Sequence, residues 1–63
     1  MAIVAGYTKQ SDGEYVVIGS YDNPSLAEDA VESDTSSDVK HYWIASFVKA
    51  ETNEPDVLGY IDV

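Results

Sequence analysis

The fold of this chain is decided by residues 3–21, which read IVAGYTKQSDGEYVVIGSY. Apolar side chains take alternate positions in residues 3–8, and residues 14–21 form a second run that is rich in β-branched and aromatic side chains. Both patterns are typical of half-buried β-strands. Between them lies Asp12-Gly13, a pair that tolerates the positive φ angles of tight hairpin turns. We therefore predict a β-hairpin at the start of the chain.

A short helix is predicted directly after this hairpin. Either Asn23 caps the helix with Pro24 at its first position, or Ser25 forms a capping box with Glu28. The sequence leaves both caps open, and both begin the same helix. The helix should end near Ser33, because the aspartate that follows would rotate onto its apolar side.

The remaining segments predict two more strands. Residues 39–50 are apolar at both parities, which is typical of a strand in the middle of a sheet. Residues 51–56 contain a proline and predict a turn, and residues 57–63 alternate as a last strand. We predict an α+β fold in the order β-β-α-β-β, with a small antiparallel sheet of about four strands and one short helix. Residues 1–63 should form a single acidic domain, because so short a chain cannot support two cores.

The composition limits the cellular location and the kinds of cysteine chemistry that are compatible with the sequence. The chain of 63 residues has no cysteine, so disulfides and thiolate sites are excluded. It shows no secretory leader and no apolar run of membrane-spanning length, so we expect a cytoplasmic protein, in the host cytoplasm if it is viral. A core this small yields little stability, and homo-oligomerisation therefore stays open.

Negative charge is the most unusual property of the sequence. Twelve Asp and Glu face three Lys and no Arg, and the net charge is −9. A field of this sign repels nucleic acid and anionic lipid, so we expect neither to be bound directly. Six acids and no Lys or Arg occur between residues 22 and 38, and these are the predicted partner-binding residues: Asp22, Glu28, Asp29, Glu32, Asp34 and Asp38.

Two interpretations of this acidic segment compete. Helix neighbours three or four residues apart lie about 5–6 Å from each other, so carboxylates placed there can stand in for nucleic-acid phosphates. An ordinary solvated helix face is also charged. Ordinary surfaces, however, mix both signs, and the absence of compensating lysines favours the first interpretation.

No catalytic, metal or cofactor site is predicted. The one base with a pKa near neutrality, His41, lies inside an aromatic strand and is interpreted as a structural residue. Glu28, Asp29 and Glu32 offer oxygen ligands for Ca²⁺, but no calcium-binding loop motif accompanies them. The glycines are dispersed and form no phosphate-binding loop. We expect a protein that is not an enzyme and that needs no cofactor.

The leading hypothesis is a non-enzymatic acidic inhibitor that mimics nucleic acid. It would block a basic DNA- or RNA-binding surface on a partner protein, as small phage anti-restriction and anti-CRISPR proteins do; the comparison is one of physical type only. Exposed aromatic side chains would add anchoring contacts, with Tyr7, Tyr21, Tyr42 and Tyr60 as candidates. One alternative is a small domain adapted to high salt. Another is a virion-type structural or assembly component that uses a sheet edge or an apolar sheet face.

Overall fold

The structure is a computed structural model that describes residues 2–61. It confirms the predicted α+β fold and the order β-β-α-β-β. The sheet has the order β2-β1-β3-β4, and all its neighbouring strands are antiparallel. β3 is therefore an inner strand, as predicted, and β2 and β4 are the edges. The elements are β1 Ile3–Lys9, β2 Tyr15–Tyr21, α1 Pro24–Ser33, β3 Val39–Val48 and β4 Pro55–Ile61.

The two hairpin turns share a hydrogen-bond pattern, and each has one residue with a positive φ angle. In the β1–β2 turn the amide of Gly13 donates to the carbonyl of Lys9 (3.1 Å), and in the β3–β4 turn the amide of Asn53 donates to the carbonyl of Lys49 (2.8 Å). Gly13 has φ 75° and Asn53 has φ 58°. Glycine and asparagine are the residues that enter this left-handed region most readily. The sequence signalled the first turn by its Asp-Gly pair, whereas the second carries no such pair.

The boundaries of the second hairpin differ from the prediction. We placed residues 51–56 in the turn, but β4 already begins at Pro55, and β3 ends at Val48 instead of continuing to residue 50. Proline is accepted at the first residue of an edge strand, where it removes no ladder hydrogen bond. The prediction that the last strand continues to Val63 lies outside the described residues.

The helix takes the first of the two predicted caps. The side chain of Asn23 accepts a hydrogen bond from the amide of Leu26 at 3.0 Å, and Pro24 occupies the first helical position. The helix ends at Ser33, as predicted. Its apolar side buries Ala27 and Val31 against the sheet. Within residues 2–61, no helix is long and apolar enough to cross a membrane.

Both faces of the sheet carry buried residues. The helix-side cluster combines α1 with buried strand residues, namely Ile3, Ala5, Tyr42 and Ile44. On the other face Trp43 is fully buried and packs edge-on against Tyr15, with ring centroids 6.4 Å apart. Its six-membered ring lies so close over Gly6 that a Cβ there would come within 2.4 Å of it. Gly6 is thus the position that admits the indole.

A cleft of about 300 Å³ lies between the two hairpin turns. Tyr15, the residue in contact with Trp43, lines this cleft together with Thr52 and Asn53 from the β3–β4 turn. The tip of the second hairpin therefore reaches across the sheet toward the first.

Candidate functional site

Three of the six predicted binding residues form the exposed face of α1. Glu28, Asp29 and Glu32 are all exposed, because the opposite side of the helix carries Ala27 and Val31 into the core. Glu32 follows Asp29 by three residues and Glu28 by four, so the carboxylates are surface neighbours about 5–6 Å apart at Cβ. We call these three residues the helix acidic face.

Asp22 lies in the bend that precedes the helix and is also exposed. It adds a fourth carboxylate at the N-terminal end of α1, where the partial positive charge of the helix dipole favours an anion. The helix acidic face and Asp22 therefore lie along one helix on one side of the sheet.

Asp34 has a structural role as well as a charge. Its carboxylate accepts hydrogen bonds from the Tyr42 hydroxyl at 2.7 Å and from the Ser36 amide at 3.2 Å. The Tyr42 hydrogen bond, more than the opposing effect of burial, holds the pKa of Asp34 below its usual value. In return, burial and then the hydrogen bond to Asp34 raise the pKa of Tyr42 to about 12. The pair connects the C-terminal end of α1 to β3.

Asp38 connects the loop before β3 to the first hairpin turn. Its two carboxylate oxygens accept hydrogen bonds from the Ser11 hydroxyl at 2.6 Å and the Ser11 amide at 3.0 Å. The Ser11 hydroxyl is the main cause of a lowered pKa at Asp38, and the charge of Lys9 contributes in the same direction. Asp34 and Asp38 are thus partly enclosed carboxylates that hold the fold together, and sequence reasoning missed this role.

The six acids are not neutralised by ion pairs in the described part of the chain. One ion pair is found within residues 2–61, and it joins Lys9 Nζ to Asp12 Oδ2 at 3.8 Å, outside the predicted set. The carboxylates on and around α1 therefore keep a single-sign field. Such a surface raises the local concentration of cations and of basic partners.

The aromatic residues are only partly where the anchoring hypothesis needs them. Tyr42 is 2% exposed, so its prediction as an exposed anchor is wrong; its ring belongs to the helix-side core. Tyr7 and Tyr21 are half-buried against the same core, and Tyr60 is 63% exposed. Tyr60 lies on β4, and its ring meets that of His41 edge-on at 4.7 Å.

Residues 2–61 contain no group of three or more His, Asp or Glu side chains placed to hold a metal ion. The chain matches no known protein family, no curated protein and no solved structure.

Proposed function

We propose that this protein is a non-enzymatic acidic inhibitor that mimics nucleic acid and blocks a basic DNA- or RNA-binding surface on a partner protein. It would act in the cytoplasm, or in the host cytoplasm if the protein is viral, in the manner of anti-restriction or anti-CRISPR proteins. The carboxylates would replace phosphates in the groove and exclude the true substrate.

One observation supports this proposal above the others. The exposed carboxylates at 22, 28, 29 and 32 follow one helix, and none of them is neutralised by an ion pair in the described residues. An ordinary surface helix would carry lysines four residues after its glutamates, because each such Glu–Lys pair stabilises a helix by about 0.2–0.5 kcal/mol. This helix forgoes that stabilisation and keeps its negative field.

The test compares two variants with the same net charge. The first neutralises the helix acidic face with Glu28→Gln, Asp29→Asn and Glu32→Gln. The matched control neutralises three exposed acids in the two turns, Glu14→Gln, Glu51→Gln and Glu54→Gln, which make no side-chain hydrogen bond or ion pair in the described residues. Each variant is titrated against a panel of basic nucleic-acid-binding proteins over a salt series.

The expected result is a salt-sensitive complex that competes with nucleic acid and that the helix variant weakens at least tenfold more than the turn variant, by about 1.4 kcal/mol. The dependence of log Kd on log salt concentration should also become shallower, because fewer carboxylates meet cations. Equal effects of the two variants would show that only overall charge matters. The absence of any complex at low salt would end the proposal.

Adaptation to high salt is the second candidate, and the same scarcity of ion pairs favours it. A thermal unfolding series from low salt to molar KCl separates the two candidates. An acid-rich halophilic domain should be unfolded at low salt, because its self-repulsion is then unscreened. A chain that melts cooperatively at low salt would remove this candidate.

A further inference from the structure

Exposed apolar side chains are concentrated on β4 and the adjoining β3, whereas four of the predicted binding acids lie on or next to α1. Within residues 2–61, three of the five exposed large hydrophobic side chains belong to β4 and its neighbour β3: Leu58 is 57% exposed, Tyr60 is 63% exposed and Phe47 is 52% exposed. We call these three residues the β4 apolar edge. We propose that a second copy of this chain binds here, forming a two-fold symmetric dimer through the β4 apolar edge.

The charge distribution favours a second copy at this edge. A two-fold interface brings a surface against itself, so it must be self-complementary. An acidic surface repels its own copy, whereas an apolar one does not. The described part of β4 carries one acid, Asp56, and that carboxylate accepts a hydrogen bond from the Ser46 hydroxyl at 3.0 Å. A dimer through β4 also keeps the two helices apart, because α1 packs on β1, β2 and β3.

The other edge strand is less suited to this role. β2 carries no charged side chain, whereas β4 carries Asp56, but of the β2 residues only Val17 is a large exposed hydrophobic, and α1 packs directly on β2. Pairing through β2 would bring two acidic helices side by side across the symmetry axis. Coulomb repulsion over distances near the Debye length of about 8–10 Å would oppose that arrangement.

The size of the surface predicts a weak dimer. A standard interface takes about 800 Å² from each partner, which is roughly a fifth of the 4089 Å² accessible surface of this chain. Each side chain of the β4 apolar edge is only 52–63% exposed, so the three together supply well under that area. The contact therefore belongs to the weak and transient class of interfaces, and the dimer should be in rapid exchange.

A break in the strand limits the assembly to two copies. Ile44 pairs with Gly59 and Ala45 pairs with Val57, so a β-bulge leaves Leu58 without a partner on β3. Bulges at sheet edges prevent continuous strand addition. The contact is accordingly made by side chains around one symmetry axis, and it closes at the dimer.

The experiment is sedimentation equilibrium of the full chain over a concentration series up to about 1 mM, where interfaces of this class are populated. Leu58→Lys should weaken dimerisation at least about tenfold, because it places a charge in the contact. Val17→Lys adds the same charge to the other edge strand and should change it less than about twofold. Near-UV circular dichroism of Trp43 checks folding, and Tyr60→Lys replaces Leu58→Lys if the latter unfolds.

Salt dependence separates this inference from the proposed function. Dimerisation of two acidic chains should strengthen as salt screens their repulsion, whereas binding to a basic partner should weaken. A chain that stays monomeric throughout the series overturns the dimer and leaves the nucleic-acid mimic untouched. Equal effects of Leu58→Lys and Val17→Lys, or assembly beyond two copies, would also overturn it.

Discussion

Replacing Tyr42 by phenylalanine tests whether the contact between α1 and β3 stabilises this domain. The substitution removes one oxygen from a ring that is 2% exposed and deletes the 2.7 Å hydrogen bond to Asp34. A hydrogen bond to a charged group contributes about 1.5–3 kcal/mol. Asp34 keeps the Ser36 amide and remains open to water, so the lower end of that range applies. We expect the free energy of unfolding to fall by about 1.5 kcal/mol.

That loss is large for a chain of this size. Domains below about 70 residues obtain roughly 3–5 kcal/mol from their core, so one hydroxyl accounts for about 30–50% of that amount. The melting temperature should fall by about 6–12 °C. The matched control is Tyr7→Phe, at a half-buried tyrosine that meets Tyr42 edge-on at 5.9 Å and whose hydroxyl makes no hydrogen bond in the described residues. It should change stability by less than about 0.5 kcal/mol.

The pH dependence gives the prediction its sign. The pKa of Asp34 is lowered in the folded chain, so its contribution is present above the unfolded pKa of about 3.9 and is lost as pH falls through the folded value. The pKa of Tyr42 is raised from 10.0 to about 12, so the natural chain should also lose stability as pH rises through that interval. Tyr42→Phe removes the alkaline loss.

Urea unfolding from about pH 2 to 12 measures both effects. The difference between the natural chain and Tyr42→Phe should be greatest near neutral pH and should shrink toward both ends of the range. A difference that is the same at every pH, or one matched by Tyr7→Phe, would refute the account of the Asp34 contact.

Three further predictions concern the packing at Gly6, the helix cap at Asn23 and the hydrogen bond between Asp38 and Ser11. Gly6→Ala places a Cβ within 2.4 Å of the indole ring and of a backbone oxygen, so the free energy of unfolding measured in urea should fall by at least about 2 kcal/mol. The control is Gly59→Ala, where nothing lies within 4 Å of the added Cβ and stability should hardly change. Equal losses in the two variants would contradict the packing of Trp43 on Gly6. Asn23→Ala should cost about 1 kcal/mol through the lost cap, and an unchanged urea midpoint would argue against it. Asp38→Ala should speed amide hydrogen exchange at Ser11; unchanged protection measured by NMR would count against that hydrogen bond.

Most of the secondary structure could be predicted from the spacing of residues along the sequence. The alternation in residues 3–8, the Asp-Gly turn and the Asn-Pro cap act over a few residues, so they are visible in the sequence and predicted the hairpin and the limits of α1. The excess of acidic residues between 22 and 38 could also be read directly from the sequence. The boundaries of the second turn were predicted wrongly for two reasons. The left-handed conformation at Asn53 has no strong dipeptide signal, and Pro55 was assigned to the turn although it begins β4.

By itself the sequence determined the element order, the one-sided charge and the exposure of the helix acidic face, since each follows from composition or from the 3.6-residue period. Tertiary structure alone decided that Asp34 meets Tyr42, that Asp38 meets Ser11 across 27 residues, and that Trp43 is buried on the face away from α1. Those contacts depend on which strands become neighbours and how the sheet curls. Both are outcomes of long-range packing, which no local spacing encodes.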